Sequence, residues 1–154
     1  MEWKGKLKSV SRARFAQIWR DYRAGKELDE EDQLLAKCMA DHPEWTRWWE
    51  IADDIGDTPV LEAWVDPFLA VAVEAAVEGM IGPGGDTAAQ TAYNSLRRRG
   101  LAHVDARAEI GRALLGMIWQ VETGKVHPGD ADRRFRSVLE RIAAGESTRD
   151  IFPD

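Results

Sequence analysis

At 154 residues the chain has the length of one ordinary domain, expected to span 1–154 with a core from about 10 to 143 and short loose tails. Its 44% hydrophobic and 31% charged residues exclude a disordered chain, and no run approaches the roughly 18 consecutive apolar residues of a membrane span. A net charge of −6 disfavours non-specific binding to nucleic acid, whose phosphates demand lysine and arginine.

The opening residues Met1-Glu2-Trp3-Lys4-Gly5-Lys6-Leu7-Lys8 are basic but have no apolar run behind them. They do not read as a secretory signal, so the chain is expected to be cytoplasmic. Ser11 is a predicted N-cap. After it Phe15, Ile18, Trp19 and Tyr22 recur at i, i+3, i+4 and i+7, one face of a helix that Gly25 stops. A second helix begins at Asp29, where Glu30, Glu31 and Asp32 suit the positive end of the helix dipole. Its stripe is Leu34, Leu35, Cys38 and Met39. Cys38 is the one cysteine, so it cannot form an internal disulfide or a thiolate-rich zinc site; core packing is expected rather than a reactive thiol.

His42-Pro43 ends that helix, because a residue before proline avoids helical geometry, and Pro43 can open the next one. There Trp45, Trp48, Trp49 and Ala52 repeat the same spacing. Gly56 and Pro59 bound a short connecting segment, read as helical through Trp64. Asp66 as N-cap with Pro67 in the first turn is the clearest start signal in the chain. The segment Phe68 to Ile81 is apolar nearly all round, interrupted by Glu74, Glu78 and Gly79, and should be central in the core.

Gly82-Pro83-Gly84-Gly85 is a loop. Thr87 with Gln90 reads as a capping box, followed by Ala89, Ala92, Tyr93 and Leu96 on one face and Gly100 as stop. A long helix from about His103 to Thr123 carries Ile110, Leu114, Met117 and Val121, with Trp119 on an adjacent face, and Gly124 closes it. The last helix follows Asp130, burying Phe135, Val138, Leu139 and Ile142 and ending at Gly145. The tail beyond is expected to be loosely held. No segment alternates with period two, so no strand is predicted, and no repeat is present. The prediction is all-α: an irregular bundle of six to seven helices in a single domain.

Catalytic motifs are absent. The glycine-rich loop lacks the lysine and preceding strand of a phosphate-binding loop, no Gly-x-Ser-x-Gly elbow occurs, and the three histidines are far apart in sequence. Glu-x-x-His spacing, which builds di-iron sites in bundles, does not occur either. The anomaly is Glu74 with Glu78, four apart on one face of the most apolar helix. A buried carboxylate must be paired, protonated or metal-bound. Three arrangements are open: a thin solvent edge or pairing with Arg107 or Arg112; a polar pocket in which Glu74 faces His103 or Glu109; or a bound metal.

Seven tryptophans in a short chain are unusual, and Trp45, Trp48 and Trp49 crowd little more than one turn. They can fill the core or form a partner surface, since tryptophan is enriched at interface hot spots. Three such positions cannot all face one way, so at least one should be partly exposed unless another chain covers it. The basic clusters Arg97-Arg98-Arg99 and Arg133-Arg134-Phe135-Arg136 read as solvated helix faces; they would suggest a nucleic-acid interface only if both faced one side.

Taken in order, Phe15-Ala16-Gln17-Ile18-Trp19 through Tyr22 and Gly25, then His42-Pro43-Glu44, then Asp66-Pro67-Phe68-Leu69, then Ile118-Trp119 cover the chain from about residue 10 to 143. This order resembles the bacterial domain-of-unknown-function family 1841. The resemblance implies a helical fold and no activity. It also implies two histidines four apart just after the Pro-Phe-Leu step, where this chain has Ala70 and Glu74, and a second pair near Val104 and Ala108. The chain thus reads as a divergent member lacking the family's histidines, with at most one oxygen donor, Glu74, in their place.

The expected function is a non-enzymatic helical domain that binds another protein or itself, with no catalytic residue, no cofactor and no membrane. The alternative is a metal-binding or hydrolase-like bundle whose polar core site lies around Glu74 and draws on Glu78, His103 and Glu109. The former needs an exposed apolar patch, the latter a concave pocket with converging polar groups.

Overall fold

A computed structural model describes residues 10–152; the expected N-terminal tail and residues 153 and 154 lie outside them. The described residues form nine α-helices and two short 3-10 turns, with no strand among them. The fold is all-α. These residues group into two compact units, 10–75 and 76–152, and the boundary falls inside one helix. No helix among them is long and apolar enough to cross a membrane.

The first unit holds α1 (Arg12–Arg23), α2 (Glu30–Ala40), a 3-10 turn (Pro43–Trp45), α3 (Thr46–Glu50), α4 (Ala52–Ile55) and the start of α5 (Pro67–Ile81). Its caps are those the sequence predicts. Ser11 Oγ accepts from the Arg14 amide at 3.1 Å, and the Asp29 carboxylate accepts from the Asp32 amide at 2.8 Å. Each satisfies a donor that the first helical turn leaves orphaned. The core joins Phe15 and Ile18 of α1, Leu35, Cys38 and Met39 of α2, Trp49 of α3 and Phe68 of α5. Leu34, expected in the same stripe, is only partly buried. Phe68 meets Phe15 and Trp49 edge-on, at centroid distances of 5.0 and 5.2 Å. Such aromatic pairs contribute about 0.5–1.5 kcal/mol each beyond their buried area.

Residues 56–66 are not helical, contrary to the reading through Trp64. Gly56 leaves α4 at φ +54, and the chain extends to an antiparallel bridge between Glu62 and Val65. Gly56 and Pro59 lie too close together for a helical turn to nucleate between them. Asp66 then starts α5, its Oδ1 accepting from the Phe68 amide at 2.9 Å and the Leu69 amide at 3.3 Å. Pro67 supplies the preset φ and needs no acceptor.

The second unit holds the end of α5, then α6 (Thr87–Arg98), α7 (His103–Glu122), a 3-10 turn (Pro128–Asp130), α8 (Ala131–Ala143) and α9 (Thr148–Ile151). The cap of α6 is Asp86, one residue earlier than the predicted Thr87. Its carboxylate accepts from the Ala89 amide at 3.0 Å, while Gln90 reaches back to the Gly82 carbonyl at 2.7 Å. Helices α6, α7 and α8 pack on one another through Leu96, Ile110, Leu114, Met117, Phe135 and Ile142, all buried. Ser95 donates to the Ala143 carbonyl at 2.9 Å and Arg99 to the Ile142 carbonyl at 2.7 Å, satisfying the frayed end of α8. Beyond Gly145, α9 is docked rather than loose, because Thr148 is buried and bonded to α7.

Candidate functional site

Helix α5 carries both glutamates singled out in the sequence, and each meets a histidine. Within the first unit, Glu74 has a side chain only 19% exposed, and its two oxygens lie 2.8 and 3.0 Å from His42 Nε2. His42, read in sequence only as the end of α2, is a partner that the sequence reading does not name for it. Across the imidazole, Nδ1 lies 2.9 Å from Glu44, whose carboxyl is held below the ordinary range first by its own backbone amide and then by His42. The ring also stacks on Trp45 at 4.2 Å between centroids. Because the two carboxylates meet opposite ring nitrogens, they do not converge on one point where a cation could sit.

Within the second unit, Glu78 Oε1 accepts from Arg107 Nη1 at 3.0 Å and from His103 Nε2 at 2.7 Å. Arg107 was one of the pairings expected for these glutamates. With Nε2 donating to the carboxylate, His103 Nδ1 is left to accept from the Tyr93 hydroxyl at 2.7 Å. The chain Tyr93–His103–Glu78–Arg107 therefore runs from a partly exposed phenol to a buried guanidinium. A hydroxyl facing an imidazole that is oriented by a carboxylate is the arrangement of a general-base relay.

Glu109, the fourth candidate, has partners of its own within the second unit. It takes Arg112 Nη2 at 2.7 Å, and the Thr148 amide and hydroxyl at 2.8 Å each. Burial alone would push its carboxyl up, but these three donors outweigh burial and hold it below the ordinary range. Among the described residues no three histidine, cysteine, aspartate or glutamate side chains gather as a metal-ligand group.

The clustered tryptophans divide by environment. Trp49 is fully buried, and its Nε1 donates to the Met39 carbonyl at 3.1 Å, closing the end of α2. Trp45 and Trp48 are partly buried against the same core, with Arg47 over the Trp48 ring at 4.8 Å. Trp64, expected inside a helix, is exposed, at 92%.

Trp64 sits in a turn of unusual backbone. Glu62 and Val65 exchange two hydrogen bonds, of 2.8 and 3.0 Å, across Ala63 at φ +49 and Trp64 at φ +69. Two consecutive positive φ values define the tight hairpin turn that glycine and asparagine favour, and neither is present. Surrounding groups hold the turn in place. Arg12 donates to the carbonyls of Gly56 at 3.2 Å and Thr58 at 3.1 Å, Val60 is buried, and Glu62 pairs with Arg47. The base is thus fixed while the indole projects outward. Leu61, Val65 and Leu69 in the same stretch are also exposed. One signal was available in the sequence: no lysine or arginine occurs between Arg47 and Arg97, whereas Asp53, Asp54, Asp57 and Glu62 precede Trp64. A charged, one-signed run around a tryptophan marks a surface, which is hard to reconcile with a packed helix.

A family model described as a domain of unknown function, DUF1841, matches residues 8–138. The chain belongs to the DUF1841 family. No curated protein matches it, and no solved structure does. Membership in DUF1841 agrees with the landmarks from Phe15 to Trp119 and brings no activity with it. The imidazole beside Glu74 comes from outside α5, at His42 just beyond the end of α2.

Proposed function

We propose that this chain is a non-enzymatic domain that binds another protein, with Trp64 as its anchor. The observation that carries the reading is a tryptophan, 92% exposed, held at φ +69 on a pinned turn. Left-handed backbone costs an L-residue roughly 1–2 kcal/mol, and an exposed indole returns little of that through burial in the free domain. Strain of this kind is retained where the surroundings over-determine it, which is common at binding sites. Rigid display also suits recognition, because less side-chain and loop entropy is lost on docking.

The partner implied is a protein with an apolar pocket for the indole and basic groups at its rim. Asp54 and Asp57, exposed on the segment leading to the turn, make no side-chain hydrogen bond or ion pair among the described residues and are available to meet such groups. The test replaces Trp64 by the photo-crosslinker benzoylphenylalanine in cells that express the protein. One discrete heteromeric adduct is expected, and it should disappear when Val65 and Leu69 are changed to serine. Absence of any adduct, or an adduct of two copies of this chain, overturns the reading.

A second reading, a metal-binding or hydrolase-like protein, draws support from the Tyr93–His103–Glu78 relay. Elemental analysis of the purified protein separates the two. A stoichiometric metal lost in His103→Ala would favour it over the interaction-only reading.

A further inference from the structure

The loop leaving α7 and the first two turns of α8 enclose an open cleft of about 440 Å³, with Lys125, His127, Asp130, Arg133, Arg134 and Ser137 in its lining. Three cations face one carboxylate there, which leaves two positive charges in a chain whose net charge is −6. Asp130 is already engaged, 2.9 Å from Arg133 Nη2. Arg134 makes no hydrogen bond or ion pair among the described residues, although one carboxylate lies in the same cleft. The Lys125 ammonium rests 4.1 Å above the half-exposed ring of Trp119, a weak contact that an anion could outbid. Since the Gly129 amide donates to His127 Nδ1 at 3.0 Å, the neutral ring carries its hydrogen on Nε2 and is a donor there. The Ser137 hydroxyl adds another.

Such a surplus of donors and charge matches a doubly charged oxyanion better than a carboxylate, which one arginine fork would satisfy. The cleft volume falls in the range of small-molecule sites. A nucleic-acid track fits poorly. Arg99, in the other basic cluster, bonds the Ile142 carbonyl at the last turn of α8, whereas Arg133 and Arg134 are in the first turn. The two clusters thus lie at opposite ends of a 13-residue helix, roughly 14 Å apart along its axis, and do not form one continuous stripe.

We propose that this cleft binds a small phosphate-bearing molecule, with Arg134 and Lys125 on the phosphate and His127 and Ser137 donating beside it. Calorimetric titration with inorganic pyrophosphate at constant ionic strength tests this. Saturable one-to-one binding is expected, weakened about tenfold in Arg134→Ala, less in Arg134→Lys, and within about twofold of the parent in Arg98→Ala, a basic residue outside the cleft. Arg134 is exposed, so its loss leaves the fold intact, which circular dichroism verifies. Binding should also change tryptophan fluorescence as Lys125 leaves Trp119, and Trp119→Phe should abolish that change while keeping the heat. No saturable binding, equal loss in Arg98→Ala, or binding of oligothymidylate in the absence of pyrophosphate binding overturns the proposal.

Discussion

Thr148 donates both its amide and its hydroxyl to one oxygen of Glu109, each at 2.8 Å, and so ties α9 to the middle of α7. A carboxyl held low contributes stability that is complete above the usual glutamate value of 4.5 and is lost as pH falls through the lower folded value. Acidification below pH 4.5 should therefore release α9 before the rest of the second unit unfolds. Hydrogen-exchange protection at residues 148–151 is the measurement, taken as a ratio to the intrinsic rate at each pH. Thr148→Val, which removes only the hydroxyl donor, should lower the local opening free energy by about 1–2 kcal/mol at neutral pH.

Trp64 should cost the free domain stability. Trp64→Gly relieves left-handed strain of about 1–2 kcal/mol and adds a glycine entropy cost of about 0.5–1 kcal/mol. A net gain of between about 0 and 1.5 kcal/mol in urea unfolding is expected. A loss of more than 1 kcal/mol would mean that the indole is part of the fold and not a free anchor.

The predicted helices appear where their signals are local. Ser11, Asp29 and Asp66 each sit within three residues of the amide they cap, so sequence alone places them. The start of α6 lies one residue before the predicted Thr87, because the Asp86 carboxylate takes the Ala89 amide and Gln90 turns to the Gly82 carbonyl instead of closing a capping box. The Trp64 turn is not legible in the sequence for a different reason. Its backbone type is announced by Asn-Gly or Asp-Gly, and Ala63-Trp64 adopts it only because Arg12, Arg47 and Val60 fix the base. His42 and Glu74 are separated by 32 positions, and no periodicity reports a contact of that span. The glutamate was legible as an anomaly in an apolar helix; its partner was not.

That pair should be energetically coupled. Both side chains are about four-fifths buried, at 21% and 19% exposure, so the bond is less screened than a surface ion pair. A cycle of His42→Ala, Glu74→Ala and the double variant should give a coupling energy of about 1–2 kcal/mol by chemical denaturation. The single His42→Ala should cost more than the coupling itself, since it also removes the ring stacked on Trp45. Additive single effects would show that the short distance carries no net energy.

The loop between α5 and α6 should discriminate sharply between adjacent glycines. Gly84 has φ +76 and open space around a built Cβ, so the constraint there is conformational. Asparagine visits that region readily, and Gly84→Asn should change stability by only a few tenths of a kcal/mol. At Gly85 a Cβ would lie 2.3 Å from the Met80 carbonyl oxygen and 2.6 Å from that of Gly79. Those are backbone atoms in the last turn of α5, and Met80 also accepts the Asp86 amide at 2.8 Å, so neither can yield without loosening the cap of α6. Gly85→Asn and Gly85→Ala should each cost about 1–3 kcal/mol in thermal or urea unfolding, the range of an overpacking substitution. Equal tolerance at 84 and 85 would mean that the close approach of Gly85 to α5 does not constrain the loop.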